Sequence, residues 1–401
     1  MSTLIIEVGS STSKAIVRLF DGRFHHVVSL SGEPVLLSSL MYTETHCLIP
    51  ISSTSIQGFH FESTVFSISS HRWMSEAPLH NLTYSQQHLT FKDELSFVKS
   101  QIMECHFCLY LSCLKYYISH KYNISDLTDV VMILDDHLLS GSLPSETDHV
   151  TSKSDNFVAA ALAAGFSKAS CIPWSESISC RYSPSYPNSS VVFIDIGFSC
   201  TKIVKVDYSL LSTQFYSPIE DIRTGSVRSF NFGTALLDET FLKNTQYDRD
   251  SCKPSELFQF LKVCQTIRTQ VSDYEEYEDQ RLCESPFKYE DGLILIEQYE
   301  ERCNFSVLFA PVEKHLKELN DKNNISEFIL TGGGSLIPFI EERIYRLFPG
   351  KVKMCIGPLS AVEFPSNFVD TKSLKNRDLY KSASSFVMMC TIFNQRTPLR
   401  I

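Results

Sequence analysis

Two stretches of this chain follow one plan. "TLIIEVGSSTSKAIVRL" runs from Thr3 to Leu19, and "VVFIDIGFSCTKIVKVD" runs from Val191 to Asp207. In each, an apolar, β-branched run meets an acid, Glu7 or Asp195, and a glycine stands two residues later. Small or hydroxylic residues follow, and then a second β-rich run. A strand-turn-strand unit made twice is a weak internal repeat. It constrains the chain to two similar lobes that can face each other across a cleft. Each turn taken alone admits two readings. Small residues let backbone N–H groups approach phosphate oxygens, and Ser or Thr hydroxyls add donors. The acid closing the first strand can hold a water of hydrated Mg²⁺. The groups concerned are Glu7, Gly9, Ser10, Ser11 and Lys14 in the first turn, and Asp195, Gly197, Ser199 and Thr201 in the second. The other reading is an ordinary β-hairpin.

A third turn tilts the balance. "LTGGGSLIP" (Leu330 to Pro338) follows an apolar strand and precedes a helical pattern. Successive glycines let the backbone pack against a flat ring, and a helix N-terminus adds partial positive charge.

Between these turns the pattern alternates strands and helices. Residues 28–70 read as further strands, and 91–121 as one amphipathic helix. "LTDVVMILDD" (Leu127 to Asp136) is an apolar strand ending in acids, and "NFVAAALAAGF" (Asn156 to Phe166) an Ala-rich helix ended by Gly165. "SPSYPNSS" (Ser183 to Ser190) is turn-rich and marks the boundary, giving lobes over 1–187 and 188–401. In the second lobe, 238–244 and 254–271 read as helices. "LILIEQYEERCNFSVLFAPVEKHLKELN" reads as helices broken at Pro311. The last helix, about 378–393, would pack back on the first lobe.

Composition narrows the class. Hydrophobic residues make up 43% and charged residues 20%, as in a folded globular protein. A formal net charge of −10 argues against a broad nucleic-acid surface. No leader and no long apolar run are legible, so a reducing cytoplasmic setting is expected for the 13 cysteines. Cys105, Cys108 and Cys113 fall within a helical pattern without a second Cys/His pair at zinc spacing, which favours core packing over a metal. Five Asn-X-Ser/Thr sequons, at Asn81, Asn123, Asn188, Asn304 and Asn324, call for no glycan.

The three turns come in the order and approximate spacing of the actin, sugar-kinase and heat-shock-chaperone ATPase fold. Further passages resemble the heat shock protein 70 family in particular. "LFAPVEKHLKELN" with "ISEFILTGGGSLIP" is similar to that family's passage before and through its glycine turn. "QYEERC", "LTDVVMILDD", "CQTIRTQVS" and "FNFGTALLDETFL" resemble other family segments. The resemblance implies an α/β, actin-like ATPase fold: two similar lobes, each a mixed β-sheet with flanking helices, around a nucleotide cleft. It implies ATP or ADP with Mg²⁺ as cofactors. Glu7, Gly9, Ser10 and Ser11 match the first phosphate loop, and Asp195, Gly197 and Thr201 the second. Lys14 is the nearest basic group, Asp195 and Glu7 would face the metal, and Asp195 and Thr201 would act in catalysis. Gly233 matches a further phosphate-side glycine. Gln265, Arg268 and Ser272 match adenosine-contacting positions, and Gly332, Gly333, Gly334 and Ser335 the glycine turn beside the nucleoside.

The departures from the family are specific. Glu7 replaces an Asp. Lys202 stands where the second loop ends in an Asp, reversing the charge beside the metal. Phe198 interrupts the second loop's glycines, Leu336 replaces an adenine-stacking Arg, and Gly233-Thr234-Ala235-Leu236 lacks a glycine and an acid. The family's catalytic Lys has no match, with Lys14 and His71 the nearest basic residues; Glu176 is the candidate for an interlobe Glu. Losing a lysine and a metal-side acid removes several orders of magnitude of rate at about 1.4 kcal/mol per tenfold. No substrate-binding domain is legible after the core. The expected function is therefore a diverged, chaperone-associated or regulatory nucleotide-binding protein with little hydrolysis. It would dock on a J-domain protein, an exchange factor or another chaperone, with no nucleic acid and no membrane. A slow ATPase of the same family and an actin-related structural protein are the alternatives.

Overall fold

Alternation along the strands decides which way each sheet faces. In the computed structural model, residues 1–9, 12–28, 36–42, 47–48, 64–67, 103–139, 153–179, 188–208, 222–244, 281–284 and 293–354 are described. The first half builds β1 (Ser2–Val8), β2 (Thr12–Arg18), β3 (Phe24–His26) and β4 (Leu36–Leu37). Three short strands then pair with one another: β5 (Ser39–Tyr42), β6 (Cys47–Leu48) and β7 (Thr64–Ser67). After helix α1 (Met103–Lys121) come β8 (Leu127–Leu134), α2 (Asp136–Leu139), α3 (Lys153–Ala163), β9 (Lys168–Pro173) and α4 (Trp174–Ser179). The sheet runs β3-β2-β1-β8-β9, with β4 paired to β2.

The second half repeats this plan. It contains β10 (Ser190–Ile196), β11 (Thr201–Tyr208), β12 (Ile222–Thr224), β13 (Arg228–Phe230) and helix α5 (Thr234–Asn244). A small pair, β14 (Arg281–Glu284) and β15 (Leu293–Leu295), precedes α6 (Ile296–Arg302) and α7 (Phe305–Lys322). Then come β16 (Ile325–Thr331), a 3-10 turn over Gly333–Leu336, α8 (Pro338–Leu347) and β17 (Val352–Met354). The order β12-β11-β10-β16-β17 matches the first sheet strand for strand, with β13 paired to β11. The hairpin and parallel neighbours match too: β1 is antiparallel to β2 and parallel to β8, and β10 is antiparallel to β11 and parallel to β16. Even the register shift recurs, between Ser2 and Thr3 in one half and between Ser190 and Val191 in the other. This mixed α/β architecture of two like sheets is compatible with a two-lobed actin-like fold.

Period-two alternation allocates the core residues. Leu4, Ile6 and Val8 of β1 and Ala15 and Val17 of β2 face α1 and α3. Val192, Ile194 and Ile196 of β10 face the helices of the second half. The other faces meet. Ile5, Ile16, Phe24, Ile133, Ile172 and Trp174 share one core with Val191, Phe193, Val204, Val206, Tyr208 and Ile329. Outside this sandwich, α1 buries Phe107, Tyr110, Leu111, Leu114 and Ile118, a helical stripe. Phe305, Phe309, Val312 and Leu316 do the same for α7.

Several elements lie where the sequence places them. The strand predicted over Leu127 to Asp136 is β8, and the two strand-turn-strand units are hairpins. Gly165 ends α3 with φ 89. Helix 91–121 is described from Met103 onward; the helix expected over 254–271, and the last helix, lie outside the described residues. One expectation is corrected. The break expected at Pro311 falls instead at Cys303 and Asn304, and Pro311 sits inside α7. Asn304 takes the left-handed conformation, φ 51, which asparagine tolerates, and its carbonyl accepts from the Val307 and Leu308 N–H groups. The missing proline N–H costs a bond to Val307, whose side chain is 73% exposed, so that carbonyl can meet water. Asn123 and Asn188 are also left-handed. Three of the five sequon asparagines therefore serve turn geometry.

Replacing Phe193 by alanine empties the centre of the core that both sheets share. It should cost about 3–5 kcal/mol of unfolding free energy in urea. Hydrogen exchange should show β1 and β10 losing protection together.

Candidate functional site at the strand ends

The two hairpins end in matching turns. Gly9 N–H donates to the Thr12 carbonyl at 3.2 Å, and Gly197 N–H to the Cys200 carbonyl at 3.0 Å. A Cβ on Gly9 would stand 2.6 Å from that carbonyl oxygen, so the turn requires a residue without one. The cross-strand partners are also equivalent: Glu7 pairs with Lys14, and Asp195 with Lys202. An eight-residue pattern thus recurs, acid-aliphatic-Gly-x-Ser-x-hydroxyl-Lys, in "EVGSSTSK" and "DIGFSCTK". Glu7 and Lys14 share strand parity with Ile5 and Ile16. Asp195 and Lys202 share it with Phe193 and Val204. All four therefore lie on the faces that the sheets turn toward each other.

The two acid–lysine pairs differ in tightness. Lys14 Nζ stands 3.9 Å from Glu7 Oε2, a buried oxygen with no hydrogen-bond partner. Lys202 Nζ lies 2.8 Å from Asp195 Oδ2 and also bonds Asp135 Oδ1 at the end of β8. Its nitrogen sits over the Trp174 ring, 4.5 Å from the centroid. The side chain is 10% exposed. Burial alone would pull its pKa down, but the charges of Asp135 and Asp195 outweigh that and hold it well above the usual lysine value. Asp135 stands two residues beyond Ile133, which pairs with Glu7. Lys202 therefore ties the carboxyl ends of β1 and β8 to those of β10 and β16. The neighbouring Asp136 accepts from the Ser175 N–H at 3.1 Å and from its hydroxyl, fixing the start of α4 beneath the lysine.

The three glycines of the third turn have different duties. A Cβ on Gly332, φ +84, would stand 2.4 Å from Asp195 Oδ1 and 2.5 Å from the Ile196 carbonyl. One on Gly334 would meet the Ile196 side chain at 2.5 Å. One on Gly333 would meet nothing within 4 Å. Two glycines thus let the turn pack on β10, and Gly333 alone borders open space. Ser335 is fully buried and donates to the Gly332 carbonyl at 2.6 Å. Gly233 presses on the second turn, where a Cβ would lie 2.3 Å from the Phe198 carbonyl. The Thr234 and Ala235 N–H groups, at the start of α5, donate to the carbonyls of Gly197 and Phe198.

Asp195, Gly197, Gly233, Gly332, Gly333, Gly334 and Ser335 are brought together. Glu7, Gly9 and Lys14 stand at the equivalent place of the other sheet. The hydroxyl of Thr201, expected to act in catalysis, does not face this site: it donates to the Phe232 carbonyl at 2.8 Å and is fully buried. Alternation explains the difference, since Thr201 and Lys202 point to opposite faces and the lysine takes the inner one. Glu176, the candidate interlobe acid, lies on α4. Ser10, Ser11, His71, Gln265, Arg268 and Ser272 lie outside the described residues. Sequence reading missed Asp135 and Trp174 as partners of Lys202. The available signal was the repeated acid and lysine seven residues apart, the spacing of a cross-strand pair. No cluster of three or more His, Cys, Asp or Glu that could hold a metal ion occurs among the described residues, Cys108 and Cys113 included. No described helix is long and apolar enough to cross a membrane.

Gly332→Ala should lower stability by more than about 1 kcal/mol because of its positive φ and the blocked Cβ. Gly333→Ala should stay within about 0.5 kcal/mol; urea unfolding compares them. The Cys200 thiol, pushed up to about 11 by burial and then by the charge of Asp135, keeps its proton where an unfolded chain releases it near 9. Its contribution to stability should be intact below pH 9 and fall as pH rises toward 11. Cys200→Ser should flatten that part of the pH profile.

No family profile matches the chain. Over 71 residues, 17% of the chain, the sequence is 39% identical to heat shock cognate 70 kDa protein 3 of Dictyostelium discoideum, and the match covers 11% of that protein. This local similarity supports a distant relationship to the 70-kDa heat-shock proteins.

Proposed function

We propose that this chain is a diverged, heat shock protein 70-like nucleotide-binding protein that acts as a chaperone-associated or regulatory factor. It takes ATP or ADP between two lobes, residues 1–187 and 188–401, and hydrolyses it little. The observation that carries the reading is a glycine turn packed on a glycine hairpin at the carboxyl ends of β10 and β16, with an equivalent glycine hairpin at the end of β1 and with Gly333 bordering open space. Parallel strand ends are where α/β sheets receive ligands, because the chain must turn there and the backbone is exposed. The local likeness to a heat-shock cognate supports the same reading.

The chemistry argues against efficient turnover. Phosphoryl transfer relies on positioned charge and a metal. Asp195 here accepts an ammonium, and Gly332 closes over its other oxygen. The place beside this carboxylate that a hydrated cation would take is held by the Lys202 ammonium. With Thr201 spent on a backbone carbonyl, no hydroxyl of β11 orients water at that point. Binding therefore rests on backbone and glycine contacts. Its output would be a partner interaction, with a J-domain protein, an exchange factor or another chaperone, in the cytoplasm.

Calorimetric titration with ATP and ADP tests this directly. Measurable heat of binding, with turnover at or near the uncatalysed rate, is expected. Gly333→Arg should abolish binding while the protein stays folded, because its side chain would fill the space beside the turn. ATP affinity unchanged in that variant would overturn the site.

A further inference from the structure

The cation where the two sheets meet belongs to the chain itself. We infer that the Lys202 ammonium is a built-in replacement for a divalent ion: it bolts the strand ends of the two sheets together and frees the protein from Mg²⁺. The claim has two parts. Independence of stability from metal stands on the geometry alone. Independence of nucleotide binding from metal rests on the function proposed above.

The surroundings are built for an ammonium. Its nitrogen has three neighbours of different kinds: Asp135 Oδ1 from the first sheet, Asp195 Oδ2 from the second, and the face of Trp174. An aromatic face attracts an organic cation through its quadrupole. A hydrated magnesium ion needs oxygen ligands on that side and keeps most of its own water. Entry of a divalent ion would also set a doubly charged centre beside a charged lysine in a poorly solvated place, where repulsion is weakly screened. The carboxylates lose their hydration to a partner that cannot diffuse away. Metal can be chelated, whereas this cation is covalently tethered.

The contact also joins parts far apart in sequence. Asp135 closes β8, and Lys202 opens β11. The equivalent pair in the first hairpin, Glu7 and Lys14, is looser at 3.9 Å. The second hairpin's lysine bonds a carboxylate from the opposite sheet.

The test measures thermal unfolding and Mn²⁺ binding of the full chain, by calorimetry and by electron paramagnetic resonance. For the unmodified protein, the midpoint should be the same in excess MgCl₂ and in EDTA, with no Mn²⁺ bound at this place. In Lys202→Ala the midpoint should fall in EDTA and recover in part with Mg²⁺, and the variant should gain a bound Mn²⁺ that Asp195→Asn removes. Unmodified protein that binds Mn²⁺ and is stabilised by it, with both effects lost in Asp195→Asn, overturns the inference. So does a Lys202→Ala variant that folds and gains no metal. If that variant does not fold, the unmodified protein and Asp195→Asn decide between the same two results. ADP affinity compared in Mg²⁺ and in EDTA addresses the second part: equal affinity supports it, and a loss in EDTA overturns it. A complete lack of ADP binding would defeat the proposed function and leave the Mn²⁺ and stability results standing.

Discussion

The packing of two β-sheets through their inner faces governs both halves of this protein. Ile5, Ile133 and Trp174 on one side and Phe193, Val204 and Ile329 on the other form a single apolar layer. Each strand that contributes to it also presents its alternate residues to helices, so the fold is a stack of helices, sheet, sheet and helices. Burying apolar area on both faces of each sheet is what lets short strands hold register; a slip by one residue would exchange the two faces wholesale. The same alternation sends Glu7, Lys14, Asp195 and Lys202 inward, where charge is expensive unless it is paired.

At the end of that apolar layer the pairing becomes demanding. A buried ammonium is tolerated when carboxylates and hydrogen bonds answer it, and breaking such a set by removing one partner leaves a stranded charge. Asp135, Asp195 and Trp174 answer Lys202, while Asp136 fixes the helix that carries the tryptophan. The glycine turn completes the arrangement, because Gly332 allows the backbone to come down on Asp195. Positions that look from their composition like a phosphate cradle thus divide into those that hold the protein together and one, Gly333, that leaves room.

Much of this was legible in the residues. Both hairpins were, because apolar runs flanking Gly9 and Gly197 can only alternate, and β8 and α3 were marked by their acids and by Gly165. The break lies at Asn304 and not at Pro311 because asparagine tolerates φ 51 there, while a proline can sit within a helix where the freed carbonyl meets water. The catalytic part of Thr201 is implied by its match to the family's second loop, whereas its parity along β11 decides the face and turns its hydroxyl to the Phe232 carbonyl. The division of labour among the three successive glycines was invisible in sequence, since each has the same side chain and only the neighbours of a hypothetical Cβ distinguish them. Asp135 belonged to an acid pair whose partner lies 67 residues away, a distance that no local pattern encodes.

The shared register shift at Ser2 and Ser190 lets the halves be superposed residue by residue along their paired strands. Counting on from Ile133, which pairs with Glu7, and from Thr331, which pairs with Asp195, Asp135 and Gly333 occupy corresponding positions. An ancestral unit joined head to tail would begin with two equal corners. In this chain they are unequal at that position, an acid in one copy and a bare glycine in the other, and the inequality gives a twofold design a front and a back.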